Sequence, residues 1–131
     1  MSIIDSLKTV CIDLLKLRNA VEIYKDNNEI SYYKNISMRR NGRIDLFTEI
    51  KGRLGKMNNL ADPELGENLE EIRNKNYLLD SIQILLDDVN EFKSIPDISK
   101  ENLALCDLLK LDLNGLKKEL TGDNKIENKL N

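Results

Sequence analysis

One long helical pattern runs through residues 62–96, DPELGENLEEIRNKNYLLDSIQILLDDVNEFKSIP. Asp62 suits an N-cap, Pro63 suits the first helical position, and Pro96 enforces a stop. Between them, apolar residues recur at steps of three, four or seven: Leu65, Leu69, Ile72, Leu79, Ile82, Leu86 and Val89. Such a helix of about 30 residues is about 45 Å long, more than a compact globule of this chain length would span. We therefore predict an all-α protein, an elongated bundle of about four helices.

Two further helices are indicated at either end of the chain. Residues 2–25 carry a broad apolar face of Ile3, Ile4, Leu7, Val10, Cys11, Leu14, Leu17, Val21 and Tyr24. Ser99 can cap a last helix, which Asn114-Gly115 would interrupt and Thr121-Gly122 would stop. We expect a single helical-bundle domain over residues 1–121 and a disordered polar tail over residues 122–131.

The segment 29–57 is ambiguous between two paths. Residues 44–57 fit a helix, although Gly52 and Gly55 weaken it by about 1 kcal/mol each. Asn41-Gly42 is a strong turn signal, so a short hairpin joining residues 35–40 to 43–47 is an alternative. A helix–turn–helix path is favoured, because so small a hairpin needs other strands to pack on.

The composition excludes several reactions. The chain has no histidine, which removes Ser–His and Cys–His nucleophile pairs and histidine-containing zinc sites. Cys11 and Cys106 lie on apolar stripes without a CxxC partner, so we expect buried free thiols. We expect no catalytic residue, no cofactor, no metal and no membrane segment. No signal peptide is recognised, which makes the cytoplasm the expected location.

Charge is uneven along the chain. Residues 29–57 hold seven Lys/Arg against three Asp/Glu, a net charge of +4, and residues 58–95 hold three against nine, a net charge of −6. The simplest interpretation is electrostatic complementarity between neighbouring segments, within one chain or across a dimer.

The basic segment 34–56 supports an alternative function, the binding of single-stranded nucleic acid through phosphate pairing and base stacking. Its candidate contacts are Tyr33, Lys34, Arg39, Arg40, Arg43 and Arg53. Within it, the heptapeptide IKGRLGK at residues 50–56 resembles the GXXG loop of KH domains. That resemblance implies a loop between two helices whose backbone approaches a nucleotide.

A second alternative is a Mg²⁺-dependent enzyme. The acidic residues Glu67, Glu70, Glu71, Asp87, Asp88 and Glu91 resemble the carboxylate clusters of all-α nucleotide pyrophosphohydrolases. The resemblance implies a magnesium site, but Glu71 and Asp87 would be roughly 24 Å apart on one helix. Carboxylates of one site must converge on a single ion, so a solvated helix face is the favoured interpretation.

The favoured function is a small non-enzymatic interaction protein, an adaptor, inhibitor, immunity factor or assembly subunit, that acts through helix–helix contacts. Asn76 and Gln83 are expected at polar positions of a coiled-coil seam, where such residues fix register and partner number. We predict a homodimer or another protein partner. The expected interface residues are Leu79, Ile82, Leu86, Val89, Leu105 and Leu108.

Overall fold

The computed structural model describes residues 3–36, 44–62 and 72–122, and this part of the chain contains five helices and no strand. Helix α1 is Ile3–Asn27, α2 is Glu29–Asn35, α3 is Leu46–Ala61, α4 is Ile72–Lys93 and α5 is Lys100–Thr121. The predicted all-α bundle is confirmed. The longest described helix is α1, with 25 residues. Residues 63–71, the predicted first turns of the long helix, and the polar tail from residue 123 lie outside the described residues.

Four helices form a closed ring in which α1 packs on α3, α3 on α4, α4 on α5, and α5 on α1. Ser6 near the start of α1 contacts Glu119 near the end of α5, and Lys25 near the end of α1 lies over Phe47 at the start of α3. Both pairs are therefore antiparallel. A short turn makes α4 and α5 antiparallel as well, so the bundle has up-down-up-down topology.

The core is aliphatic, as the composition predicts. Its largest fully buried side chains include Leu7, Leu14, Leu17, Ile36, Leu46, Ile50, Met57, Leu78, Ile82, Leu85, Tyr32 and Phe92. The predicted apolar face of α1 is confirmed. Its buried residues are Ser6 and seven others between Leu7 and Val21. Cys11 and Cys106 are free and buried, as expected.

The helix ends follow local chemistry. The Oδ1 atom of Asp45 caps α3 by accepting from the backbone N–H of Thr48 at 3.0 Å. The Oγ atom of Ser99 caps α5 by accepting from the N–H of Asn102 at 3.1 Å. Gly122 ends α5 with φ 70, the left-handed conformation that glycine adopts without strain. Both ends of α5 therefore match the prediction.

Two sequence expectations are wrong. Asn114-Gly115 does not interrupt α5, which continues through both residues. Asp62, the predicted N-cap, follows the last residue of α3 as its C-cap, with an extended ψ of 127, and the helix start predicted after it lies outside the described residues. Asn76 and Gln83 are exposed, because the buried stripe of α4 is Leu78, Ile82, Leu85, Val89 and Phe92.

The middle segment takes the favoured helical path where the structure describes it. The short helix α2 follows α1 after Asn28, and α3 runs through Gly52 and Gly55 without a break. Asn41-Gly42 and the proposed hairpin turn fall within residues 37–43, outside the described residues.

Candidate functional site

The contact between α1 and α5 brings polar groups together at its edge. The hydroxyl of Ser6 donates to Glu119 Oε2 at 2.9 Å. Two helical turns further along, the carboxyl group of Asp13 hydrogen-bonds with that of Asp112. Burial, this hydrogen bond and the charge of Asp112 raise the pKa of Asp13 to about 6, against the opposing charge of Lys16. Two acids thus meet at the middle of the α1–α5 contact.

Large aliphatic side chains are exposed on the same two helices. Ile12 is 58% exposed, Leu108 is 46% exposed and Leu111 is 69% exposed. Ile12 precedes Asp13 in the sequence, and both leucines lie within one helical turn of Asp112. We call Ile12, Leu108 and Leu111 the α1–α5 face. Exposed aliphatic residues that adjoin one another are typical of a protein-binding surface, whereas single exposed residues need no explanation.

Charged side chains flank the α1–α5 face with opposite signs on its two helices. On α1, the exposed Lys8 and Lys16 lie four residues before and after Ile12, on the same side of the helix. On α5, the exposed Glu101 lies two turns before Leu108, and the half-buried Asp112 lies one turn after it. The face therefore has a basic line on α1 and an acidic line on α5.

A cleft of about 760 Å³ lies beside this face, toward the α2 end of the bundle. Its walls come from the second half of α1, from α2, from the turn between α4 and α5, and from the start of α5. Asp97 in that turn has φ 63, a conformation that aspartate tolerates better than most residues. Lys16 and Leu105 line the cleft where it borders the α1–α5 face.

The residues predicted as a partner interface lie mostly inside the protein. Ile82 and Val89 are fully buried in the core, and Leu86 is 9% exposed. Leu79 and Leu105 are half-buried and pack against the core. The chain's own helices thus cover the predicted α4 part of the interface, and among the six residues Leu108 is the exposed one.

The structure describes three of the six predicted nucleic-acid contacts. Tyr33 and Lys34 are exposed on α2, and Arg39, Arg40 and Arg43 lie outside the described residues. Arg53 points from α3 to α4, where its Nη1 atom donates to Ser81 Oγ at 3.1 Å and to Tyr77 Oη at 3.5 Å. Its guanidinium group is engaged within the bundle. Nucleic-acid binding stays a prediction, without Arg53 as a free contact.

The GXXG pattern does not form the loop that its resemblance implies, and the carboxylate pattern falls only in part within the described residues. Gly52 and Gly55 lie inside the helix α3 and not in a loop, so the likeness to a KH domain is wrong. Glu67, Glu70 and Glu71 lie outside the described residues. Asp87 is exposed and Asp88 is buried, on different sides of α4. In the described ranges, no three Asp, Glu or Cys side chains are grouped to hold a metal ion.

Sequence reasoning missed an aromatic cluster around one lysine. The Nζ atom of Lys25 lies 5.6 Å from the ring centre of Tyr32, 5.8 Å from that of Tyr33 and 5.3 Å from that of Phe47. These cation–π distances join α1, α2 and α3 at one end of the bundle. No periodicity reveals the cluster, because its members come from three separate segments.

Comparisons with known proteins give no relative: no family model, no curated protein and no solved structure matches this chain. Over residues 3–36, 44–62 and 72–122, no helix has the length and hydropathy that crossing a membrane requires.

Proposed function

We propose that the protein is a non-enzymatic helical interaction protein that associates with a second copy of itself through the α1–α5 face. We keep the homodimer expected from the sequence, but we place its interface on α1 and α5 and no longer on α4 and α5. The physical reason is that the apolar stripe of α4 is covered within one chain, whereas Ile12, Leu108 and Leu111 are exposed.

The observation that carries the proposal is the self-complementary charge pattern. In a two-fold contact, a surface patch meets the same patch of the partner. If α1 of one copy lies on α5 of the other, the line Lys8–Ile12–Lys16 meets the line Glu101–Leu108–Asp112. The basic line of one copy then lies along the acidic line of the other, and the aliphatic side chains on the two lines meet. Two-fold symmetry produces this favourable contact twice, and such electrostatic complementarity favours the correct register over others.

The experiment reverses the charges on α1 and on α5 in separate variants and measures the absolute mass of each by light scattering. The wild-type chain is expected at twice 15.1 kDa. The variant Lys8→Glu/Lys16→Glu and the variant Glu101→Lys/Asp112→Lys are each expected to run as monomers, because every contact then joins like charges. An equimolar mixture of the two is expected to regain the dimer mass, since each reversed α1 meets a reversed α5.

The mixture is the matched control, because it contains all four substitutions and shows that both variants still fold. Wild-type protein that remains at 15.1 kDa at every concentration tested would overturn the proposal. A dimer that neither variant weakens would place the contact on another surface.

A further inference from the structure

We propose that the cleft beside the α1–α5 face binds an extended peptide segment with neutral side chains. This is a second binding activity, separate from self-association. The argument uses the chemistry of the lining, its shape and the hydrogen-bonding groups that the fold leaves unused.

The lining is rich in side-chain amides. Five asparagines contribute to it: Asn19, Asn27, Asn28, Asn35 and Asn102. A side-chain amide offers two N–H donors and a carbonyl acceptor, so it can pair with both the N–H and the C=O of a peptide bond. Two serine hydroxyls, of Ser31 and Ser99, add groups that donate and accept. The lining therefore offers donors and acceptors to a peptide backbone, apart from Asn19 Oδ1, which accepts from Arg18, and Asn28 Nδ2, which donates to the carbonyl of Tyr24.

Two of these amides have hydrogen-bonding groups that the described part of the chain does not use. Asn35 and Asn102 are half-buried, and the backbone N–H of Asn102 is used by the Ser99 cap. Within the described part of the chain, the side-chain amides of both residues have no hydrogen-bond partner. Polar groups that are partly removed from water gain most from a ligand that replaces the lost bonds. We expect Asn35 and Asn102 to be the main polar contacts.

The remaining lining selects against other ligand classes. Lys16 and Asp97 are the lining residues with a formal charge, one of each sign, so the cleft gives no attraction for a polyanion. The ring of Tyr24 packs edge-to-face on Phe92, with ring centres 6.1 Å apart. Ile23, Ile98 and Leu105 supply aliphatic surface instead, which suits a leucine, isoleucine or valine side chain.

The length of the cleft fits a short extended peptide. The wall from Lys16 to Asn27 covers three turns of α1 and is about 16 Å long. An extended chain rises about 3.3 Å per residue, so about five residues fill it. We therefore infer a pentapeptide footprint with one central aliphatic side chain between polar, uncharged neighbours.

The test uses the capped pentapeptide Ac-Gly-Ser-Leu-Asn-Gly-NH₂ as its probe and N-acetylglucosamine as a neutral comparison. Nitrogen-15 spectra of the full chain report each side-chain NH₂ group directly. We expect the peptide to shift the signals of Asn35 and Asn102 at millimolar concentration and the sugar to leave them unchanged. The variant Asn102→Ala keeps the backbone cap, and we expect it to weaken peptide binding about fivefold, as the loss of one hydrogen bond would.

The matched control is Asn90→Ala, because Asn90 is exposed on α4 and does not line the cleft. This control is expected to bind the peptide like the wild type. The inference fails if about 10 mM peptide shifts neither amide. It also fails if Asn102→Ala and Asn90→Ala behave alike, or if the sugar alone produces the shifts. Self-association is read by mass and peptide binding by amide shifts, so the failure of one proposal does not disguise the failure of the other.

Discussion

The carboxyl group of Asp13 on α1 hydrogen-bonds with the carboxyl group of Asp112 on α5. Asp13 is 5% exposed, and its Oδ2 atom receives no hydrogen bond from the residues that the structure describes. Two carboxyl groups this close are held together best when they share one proton. The α1–α5 contact therefore depends on the protonation of Asp13.

The free energy of unfolding should fall as pH rises through the titration of Asp13. The pKa of Asp13 is about 6 in the folded protein, above its ordinary value of 3.8, so the folded state binds the proton more tightly than the unfolded state. Its stabilising contribution is fully present below about pH 4 and is lost as pH rises through about 6. We expect Asp13→Asn to be more stable than the wild type at pH 7 by about 1–2 kcal/mol. Urea unfolding between pH 4 and 7 measures both effects. The exposed Asp26→Asn should follow the wild-type profile, and an equal response of the two variants would contradict the assignment.

The thiols should be inert in the folded protein. Burial raises the pKa of Cys11 to about 11, and burial together with the charge of Asp107 raises that of Cys106 to about 11. At pH 8 only about one thiol in a thousand would be ionised, and the thiolate is the reactive form. We expect no reaction with Ellman's reagent until denaturant unfolds the chain. The variant Asn90→Cys adds an exposed thiol that should react at once. Equal rates at all three positions would show that α1 and α5 do not cover their cysteines.

Tyr32→Phe should weaken the junction of α2 and α3. The buried hydroxyl of Tyr32 donates to Asp45 Oδ1 at 2.9 Å and accepts from the backbone N–H of Phe47 at 3.0 Å. Loss of both bonds should cost about 1–3 kcal/mol of unfolding free energy. The exposed Tyr33→Phe serves as the control and should change stability little. Similar unfolding midpoints for the two variants would contradict this role of the Tyr32 hydroxyl.

The substitution Tyr32→Phe should also change the pKa of Asp45. Burial acts to raise the pKa of Asp45, but hydrogen bonds from Thr48 and Tyr32 and the charge of Lys25 outweigh it and hold that pKa below the ordinary value. The stability that this carboxylate contributes is lost as pH falls through its folded-state pKa. We expect Tyr32→Phe to raise the pKa of Asp45, which a carboxyl carbon-13 titration measures directly. An unchanged titration would show that the hydroxyl does not stabilise the charge.

Arg53→Met should destabilise the contact between α3 and α4. Met keeps much of the apolar stem but loses the hydrogen bonds to Ser81 and Tyr77 and the position of the guanidinium over the Tyr77 ring. Because Ser81 is fully buried, we expect a loss of about 1–2 kcal/mol in thermal unfolding. Lys34→Met on the exposed side of α2 is the control and should be close to neutral. If the two variants are equally stable, Arg53 is available for the nucleic-acid role that the sequence suggested.

The sequence predicted the outer helices well because their signals are local and unambiguous. Ser99 and Gly122 have the side chain and the backbone freedom that the two ends of α5 require. The apolar residues of α1 form one continuous face, which leaves a single way to bury it. The fold class follows from these signals.

The apolar stripe of α4 was predicted correctly at Ile82, Leu86 and Val89 but one position out at Leu79, where Leu78 is buried instead. Leucine occupies both positions 78 and 79, and both positions 85 and 86, so two adjacent rows of the helix are apolar. Spacing alone does not say which row faces the core, because that depends on where α3 and α5 lie. The error carried the expected interface onto core residues. The Lys25 cluster and the asparagine cleft were not predicted either, since each joins residues that only the bundle brings together.

The closed ring also determines how the protein folds. Three of its four helix contacts join segments that are consecutive or nearly so along the chain, and local contacts form with little loss of chain entropy. The contact between α1 and α5 is different, because Ser6 and Glu119 are 113 positions apart. We expect this seam to close last during folding and to open first during unfolding. If a second copy binds across α1 and α5 as we propose, it secures the step that forms latest, and dimerisation should then slow unfolding far more than it speeds folding.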